Sequence, residues 1–273
     1  MVARDPHRFI NELDVPAFER LVSRLENRAR DDVFVNLYYK YLARLSFTPA
    51  TRLLEVGCGT GAMLRLLVRR PDFKGLALGI DHSRQFIEVA GELAHREGVD
   101  DKLAFQVGDA HALDFPPGTF DLVIAHTLMS HVTDPAMVLS EIACVVKPGG
   151  TVVIFDGDYA SLSYAYPDHG FGRQIDNALA VAAFNNPRIM RDLPRLIPRV
   201  GLALSEAWGD AVVEIGKASY FLSFAETYVP YVKTAGLLPS QAVDVWLDDQ
   251  RLAIETSRFF AACNYYTYLI QRA

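Results

Sequence analysis

The middle of the chain alternates short apolar runs with segments in which apolar residues recur every three or four positions. The short runs predict β-strands near residues 51–56, 75–80, 102–107, 119–125 and 150–156. The segments with helical spacing predict α-helices near residues 61–70, 83–97 and 134–146. This βαβ alternation is typical of a mostly parallel sheet that carries helices on both of its faces.

Further elements are predicted on either side of this alternation. Helical spacing follows Asp14 and Pro16, and a second helix is predicted over residues 31–46. Residues 202–215 and 259–271 are rich in β-prone side chains. With these two strands the sequence predicts an α/β fold, Rossmann-like, with a mostly parallel seven-stranded sheet and added helical cap segments.

Composition and charge narrow the classes of function. The chain has 273 residues, of which 51% are hydrophobic, and its formal net charge is −6. The negative charge argues against a nucleic-acid partner, because phosphate binding needs a basic face. The three cysteines show neither metal-ligand nor disulfide spacing, so we expect reduced thiols in a cytoplasmic protein. No apolar run approaches the length of a membrane span.

Residues 52–61, Arg-Leu-Leu-Glu-Val-Gly-Cys-Gly-Thr-Gly, are the most informative segment. A strand, a glycine turn and a helix start form a cradle of nucleotide size, because glycine lets the backbone approach a ligand closely. Gly57-x-Gly59-x-x-Ala62 also fits the dinucleotide fingerprint, so the glycines alone leave two ligands open. Glu55 would repel a pyrophosphate and attract a cationic ligand such as S-adenosylmethionine.

Residues 55–61 resemble motif I of the class I S-adenosylmethionine-dependent methyltransferases. Later family landmarks follow in the same order, at residues 77–81, 107–110, 120–125, 146–150 and 151–155. The resemblance covers roughly residues 45–157. Within the family, the sequence is most similar to the small-molecule branch that includes the ubiquinone and menaquinone methyltransferases. The resemblance implies one S-adenosylmethionine per chain as cofactor.

The resemblance also implies which residues contact the cofactor. Asp81 lies about 20 residues beyond the glycine turn, at the spacing where an acid meets ribose hydroxyls. The methionine part would lie near Glu55 and near the turn residues Gly57, Cys58, Gly59 and Gly61. The adenine would meet Asp109 and Ala110 at its edge and His82 at its face, and the His126 carbonyl would meet the ammonium group.

Methyl transfer requires a nucleophile aligned with the methyl carbon in a dry site, and a general base where the acceptor carries a proton. His131 is the first candidate for this base, because it lies in the loop after the fourth strand, which borders the acceptor pocket in this fold. His126 is the second candidate. The remaining candidates are Asp156, Asp158 and His169. No metal site is predicted, since no His or carboxylate cluster has ligand spacing.

The resemblance predicts residues 1–47 as an N-terminal helical lid and residues 48–273 as a cofactor-binding domain, with cap insertions near 158–198 and 217–257. Two aromatic groups in these insertions predict an apolar pocket for a small hydrophobic or aromatic acceptor. They are Tyr164, Tyr166 and Phe171, and Tyr220, Phe221, Phe224, Tyr228 and Tyr231. A homodimer is compatible with these features.

Two other functions stay open at this level. A nucleotide-dependent oxidoreductase would use the glycines as a dinucleotide fingerprint, although Glu55 and the pair Asp109-Ala110 argue against it. A non-catalytic subunit could keep the same fold and the same cofactor site, since a fold does not by itself fix a function.

Overall fold

The computed structural model describes residues 5–273 and contains a seven-stranded sheet with the strand order β3-β2-β1-β4-β5-β7-β6. The strands are β1 (Arg52–Val56), β2 (Leu76–Asp81), β3 (Leu103–Val107), β4 (Phe120–His126), β5 (Val146–Tyr164), β6 (Leu202–Ile215) and β7 (Phe260–Arg272). The helices are α1 (Val15–Arg28), α2 (Asp32–Leu42), α3 (Ala62–Val68), α4 (Arg84–Arg96), α5 (Pro135–Val145), α6 (His169–Ala183), α7 (Ile189–Leu196), α8 (Tyr220–Thr234) and α9 (Ser240–Glu255). Short 3₁₀ turns occur at Ile10–Glu12 and Ile197–Val200.

The predicted fold class is confirmed. Strands β1 to β5 run parallel to one another, and β7 is antiparallel to both β5 and β6. From β1 the chain builds outward through β2 to β3, and it then returns to place β4 on the other side of β1. Such a reversal opens a crevice at the carboxyl ends of β1 and β4, where open α/β sheets bind their ligands.

The central strands are apolar on both faces because each face carries its own core. Leu53 and Ile124 belong to the core on one face, whereas Leu54 and Val123 belong to the core on the other. All four side chains are at most 1% exposed. Burial of a side chain of this size contributes roughly 1.5–3 kcal/mol, so the paired cores hold β1 and β4 rigidly beneath the crevice.

Side-chain caps determine where the helices around the crevice begin. The carboxylate of Asp14 accepts a hydrogen bond from the Ala17 N–H at 2.8 Å, and Pro16 lies in the first turn of α1. The Ser83 hydroxyl accepts from the Phe86 N–H at 3.2 Å at the start of α4. These caps satisfy backbone donors that a helix start leaves unpaired, and α4 therefore begins directly after β2.

The segments outside the alternation differ in part from their prediction. The cap insertion predicted near residues 158–198 begins as the end of β5, because β7 pairs with β5 as far as Tyr164, and α6 and α7 follow. Helices occupy most of 217–257, with a break at Gly236, whose φ is +65°. The first four residues of the predicted lid lie outside the described residues. Between residues 5 and 273, no helix is both long enough and apolar enough to cross a bilayer.

A pair of glycine substitutions tests the packing around the first glycine turn. Gly61 has a φ of +70°, and a Cβ there would collide with the Phe105 ring. We expect Gly61→Ala to lower the free energy of unfolding by roughly 2–4 kcal/mol, from backbone strain and overpacking together. Gly91, within α4, has no atom near an added Cβ, so Gly91→Ala should raise it by about 0.5–1 kcal/mol. Urea denaturation measures both values, and equal stability of the two variants would contradict the packing described.

Candidate functional site

A cavity of about 420 Å³ opens at the carboxyl edge of the sheet, where β1 and β4 end. Its glycine-loop end is formed by residues 57–60 and by the residues that follow β2 and β3. Its arginine end is formed by Arg24 of α1 and by the rings of Tyr159, Phe184 and Tyr228. The volume is within the range of roughly 300–1,000 Å³ that small-molecule sites usually have.

Hydrogen bonds hold the glycine loop against the end of β2. The N–H groups of Gly57 and Cys58 both donate to the Ile80 carbonyl, at 2.8 and 2.9 Å. The N–H of Gly59 donates to Asp81 Oδ2 at 2.9 Å. Gly57 and Gly59 have φ values of +73° and +53°, a conformation that side chains disfavour. The loop therefore presents bare backbone to the cavity.

Glu55 lies on β1 directly before this loop and is 3% exposed. Its Oε2 atom has no hydrogen-bond partner among the described residues, although the side chain lines the cavity. Burial raises the pKa of Glu55 to about 8, against the opposing effect of the Arg28 charge. A positive group in the cavity would provide the missing partner and favour the ionised carboxylate.

The predicted ribose and adenine residues lie at the same end. Asp81 is buried and accepts from the N–H groups of Gly59 and Ser83 at 2.9 Å each. Burial raises the pKa of Asp81. His82 follows at the rim, with its Nδ1 atom 3.5 Å from Asp81 Oδ1. Asp109 and Ala110 also line the cavity. The structure thus brings the predicted cofactor residues to one end of one cavity, with the exception of Gly61, which faces the Phe105 ring and does not line the cavity.

His131 is joined to a carboxylate that the sequence analysis did not identify. Its Nδ1 atom lies 2.7 Å from Oδ2 of Asp5, which is 2% exposed. Burial alone would lower the pKa of His131, but the charge and the hydrogen bond of Asp5 outweigh it, so the pKa is raised above 6.5. With the Nδ1 proton donated to Asp5, the Nε2 atom keeps its lone pair.

His126, at the end of β4, is in a different environment. Its Nδ1 atom lies 2.9 Å from the Tyr41 hydroxyl, and its ring stacks on Phe155 with 4.7 Å between centroids. Burial, together with the Arg28 charge, holds the pKa of His126 well below 6.5. The ring is therefore neutral near pH 7, and its buried Nε2 atom has no partner among residues 5–273.

Two arginines of α1 reach the cavity, and the sequence analysis missed both. The Arg24 guanidinium lies 4.9 Å from the ring centroids of Tyr220 and Phe224, and 5.4 Å from that of Tyr228. Arg28 donates from Nη2 to Thr127 Oγ1 at 2.7 Å. A signal existed: Arg24 and Arg28 continue the apolar stripe of Ala17 and Leu21 at helical spacing, which places both charges on the inner face of α1.

Three of the predicted base candidates lie outside the cavity. Asp156 accepts hydrogen bonds from Ser130 and from the Gly157 N–H, so its oxygens are occupied in the interior. Asp158 forms an ion pair with Arg191 at 2.7 Å. His169 is exposed at the start of α6. Each of these predictions is corrected, because none of the three side chains contributes to the cavity wall.

The prediction for the aromatic residues also needs correction. Of the eight aromatic side chains assigned to the acceptor pocket, Tyr228 lines the cavity. Tyr164 is a core residue whose hydroxyl donates to the Phe221 carbonyl at 2.8 Å. The cavity wall instead uses Tyr159 and Phe184, whose rings stack with 3.4 Å between centroids. Within residues 5–273, no cluster of three His, Cys, Asp or Glu side chains could hold a metal ion.

Comparisons with known proteins agree with this geometry. Residues 54–154 match the family described as "Methyltransferase domain". The 27-O-demethylrifamycin SV methyltransferase of Amycolatopsis mediterranei is 26% identical over 221 residues, which are 81% of this chain and 66% of that enzyme. The chain therefore spans about two thirds of the length of this relative.

Solved structures share the fold. A putative methyltransferase from Bacillus halodurans superimposes with a TM-score of 0.60 at 16% identity, covering 86% of this chain and 97% of that one. The cyclase SpnF superimposes with a TM-score of 0.57 at 20% identity, covering 87% and 80% of the two chains. Identities this low establish the fold alone.

The buried carboxyl of Glu55 makes stability depend on pH. Its pKa is about 8 in the folded protein, whereas an exposed glutamate titrates near 4.5. Between these pH values the folded state holds a proton that the unfolded chain has released, so the free energy of unfolding falls as pH rises.

We expect Glu55→Gln to lose this dependence. Relative to wild type, its free energy of unfolding should rise by up to about 1.4 kcal/mol per pH unit between about pH 5 and pH 8. Urea denaturation of both proteins at three pH values in this window measures the difference. Two curves that remain parallel across the window would show that Glu55 is ionised throughout.

Proposed function

Because this chain belongs to the class I S-adenosylmethionine-dependent methyltransferase superfamily, we propose that it transfers a methyl group from S-adenosylmethionine to a small hydrophobic or aromatic acceptor. One observation carries the proposal: the unpartnered, buried carboxylate oxygen of Glu55 beside the glycine loop. A cationic ligand supplies what this oxygen lacks, whereas the pyrophosphate of a dinucleotide would be repelled.

The residues present fit this cofactor. Gly57 and Gly59 offer a backbone surface at the strand ends that a Cβ would obstruct. We assign the methionine part to Glu55 and this loop, the ribose hydroxyls to Asp81, and the adenine to His82, Asp109 and Ala110. In support, all of these residues line the glycine-loop end of one cavity.

The bound cofactor supplies an electrophilic methyl group on a sulfonium that is a good leaving group. The protein contributes orientation and water exclusion, which account for much of the rate of such a displacement. Tyr159 and Phe184 are 2% and 5% exposed, so the wall at the arginine end is apolar and well covered. An acceptor held against this wall would approach the glycine-loop end from one direction.

We assign proton transfer to His131. Its Nδ1–H is directed to Asp5, so Nε2 is free to take a proton from a hydroxyl, an ammonium or an acidic C–H of the acceptor. The raised pKa makes His131 the stronger base of the two histidines. We assign His126 a supporting role. Its lowered pKa keeps the ring neutral beside the cofactor. Its backbone carbonyl would meet the ammonium group of the cofactor, as expected from the sequence.

We further propose that residues 5–47 and α8 close over the site. Asp5 binds His131, His7 Nε2 lies 3.2 Å from the Tyr228 hydroxyl of α8, and Arg24 and Arg28 extend from α1 into the cavity. Ligand binding would therefore need these segments to move apart. Hydrogen exchange of α1 and α8 with and without S-adenosylmethionine tests the lid, which predicts slower exchange in both when the cofactor is bound.

One alternative has an observation in its favour. The cyclase SpnF shares the fold, so the fold alone does not require methyl transfer. A chain that only binds the cofactor would show affinity for S-adenosylmethionine and no release of labelled methyl to any acceptor. The dinucleotide alternative would show binding of NADH in its place.

A titration tests the cofactor assignment. We expect isothermal titration to detect one S-adenosylmethionine per chain and no binding of NADH. Asp81→Ala should weaken binding by roughly 1–3 kcal/mol, which is about 5- to 150-fold in Kd, because hydrogen bonds to a charged group are lost. Asp100→Ala is the matched control, since this carboxylate pairs with His95 at an exposed position. Unchanged affinity in a folded Asp81→Ala protein would exclude the ribose assignment.

Two substitutions test the base. Once an acceptor is found by screening small apolar metabolites with labelled S-adenosylmethionine, His131→Ala should lower turnover by roughly 10²–10⁴-fold and leave cofactor affinity near normal. Wild-type activity should rise with pH through the raised pKa of His131, because the ring accepts a proton only when neutral.

Asp5→Asn removes the charge that raises the pKa of His131. The rise of activity with pH should therefore occur at lower pH in this variant than in wild type. His95→Ala, at an exposed site on α4, is the control. Normal turnover of His131→Ala, or a rise of activity that Asp5→Asn leaves at the same pH, would show that the acceptor arrives already deprotonated.

A further inference from the structure

Arg24 is a buried cation that forms no ion pair with a carboxylate among residues 5–273. Its side chain is 8% exposed, it lines the cavity, and its Nη1 atom has no hydrogen-bond partner among residues 5–273. No carboxylate of the described chain lies within ion-pairing distance of it. Residues 1–4 are Met, Val, Ala and Arg, so they bring no acidic side chain either.

The nearby acids are all bound to other groups. Asp5 pairs with His131, and Glu26, on the same helix as Arg24, pairs with Arg65 at 2.7 Å. The immediate neighbours of the guanidinium are the rings of Tyr220, Phe224 and Tyr228. The ring faces compensate part of the cost of burying the guanidinium, and the Tyr228 hydroxyl interacts with it, but Nη1 is left without an acceptor among residues 5–273.

A buried guanidinium whose Nη1 atom is unpartnered beside a cavity offers a binding point for an oxyanion. Carboxylates match the guanidinium fork with two parallel hydrogen bonds, which is the strongest neutralising contact available to arginine. Among the described acids at this end, Asp5 lies 2.7 Å from His131 and is not paired with Arg24, so one carboxylate on the acceptor matches the one charge of Arg24.

We propose that the methyl acceptor carries a carboxylate that Arg24 binds, with its apolar body against Tyr159 and Phe184 and its reacting atom towards His131. This inference rests on the proposed function and names the class of its substrate: a small apolar or aromatic carboxylic acid.

The cofactor has a carboxylate of its own, and Arg28 is better placed than Arg24 to bind it. Arg28 lies one turn further along α1, donates to Thr127 after β4, and acts electrostatically on Glu55 beside the glycine loop. Arg24 instead lies among the rings of α8. A carboxylate at the glycine-loop end would therefore meet Arg28, and a carboxylate at the arginine end would meet Arg24.

The test uses pairs of probes that differ only in charge. Wild-type protein saturated with S-adenosylhomocysteine is titrated with phenylacetate and octanoate, and with phenylacetamide and octanamide as their neutral partners. We expect each carboxylate that binds to do so at least tenfold more tightly than its amide, and at least one pair to show this preference. Arg24→Gln should abolish the preference, and Arg24→Lys should retain part of it. Arg20→Gln, which removes an exposed charge from the same helix, should retain all of it.

Three results would overturn the proposal. The first is equal or undetectable affinity of both carboxylates and their amides for wild type. The second is a preference that persists in a folded Arg24→Gln protein. The third is a loss of S-adenosylmethionine affinity in Arg24→Gln with carboxylate binding intact, which would assign Arg24 to the cofactor's carboxylate. The S-adenosylmethionine titration of wild type reports separately on the proposed function, so a failure of one is distinguishable from a failure of the other.

Discussion

The site depends on the Ile80 carbonyl, which accepts two N–H groups from the glycine loop. These bonds turn the chain sharply at the end of β1, so that α3 begins behind the sheet and the loop stays open to the cavity. They also bring the loop to Asp81, which fixes a third N–H. Residues with side chains are disfavoured at positions 57, 59 and 61, because each of these positions has a positive φ.

The cavity concentrates polar atoms that the fold leaves without partners. Arg24 Nη1, Glu55 Oε2 and His126 Nε2 are three of the five buried side-chain atoms without a partner within residues 5–273. Each such atom costs roughly 1–3 kcal/mol. Buried acids away from the cavity do have partners, since Asp156 and Asp158 accept hydrogen bonds from neighbouring donors. Most of this cost therefore falls where a ligand can recover it, since only Trp246 Nε1 and Gln250 Oε1 among these atoms lie away from the cavity.

The sequence revealed what is encoded locally. Apolar runs located the strands, and the turn at residues 57–61 followed from three glycines at alternate positions. The spacing from this turn located Asp81. The contacts of Arg24, Asp5 and Phe184 could not be predicted in this way, because each contact joins segments that are distant in sequence. Asp5 meets His131 across 126 positions, and no local pattern carries that pairing.

The aromatic residues also show what the sequence alone does not determine. Tyr164 ends β5 and Tyr228 lies in α8, and both are almost fully buried. Tyr164 packs in the core against Trp246, with 5.1 Å between the ring centroids. Tyr228 instead faces the cavity. An aromatic stripe predicts burial, whereas the choice between core and cavity depends on where the neighbouring helices pack.

The position of β7 has a consequence for how the chain is made. This strand, Phe260–Arg272, lies between β5 and β6, and in the seven-stranded sheet β6 hydrogen-bonds to β7. On the ribosome, β6 emerges some 60 residues before its partner and has to wait, with an unpaired backbone, until residue 272 has been added. Closure of the sheet therefore joins strands made at very different times, and this non-local pairing is expected to be a slow step in folding. A chaperone that shields β6 during this interval would protect the nascent enzyme from edge-to-edge aggregation.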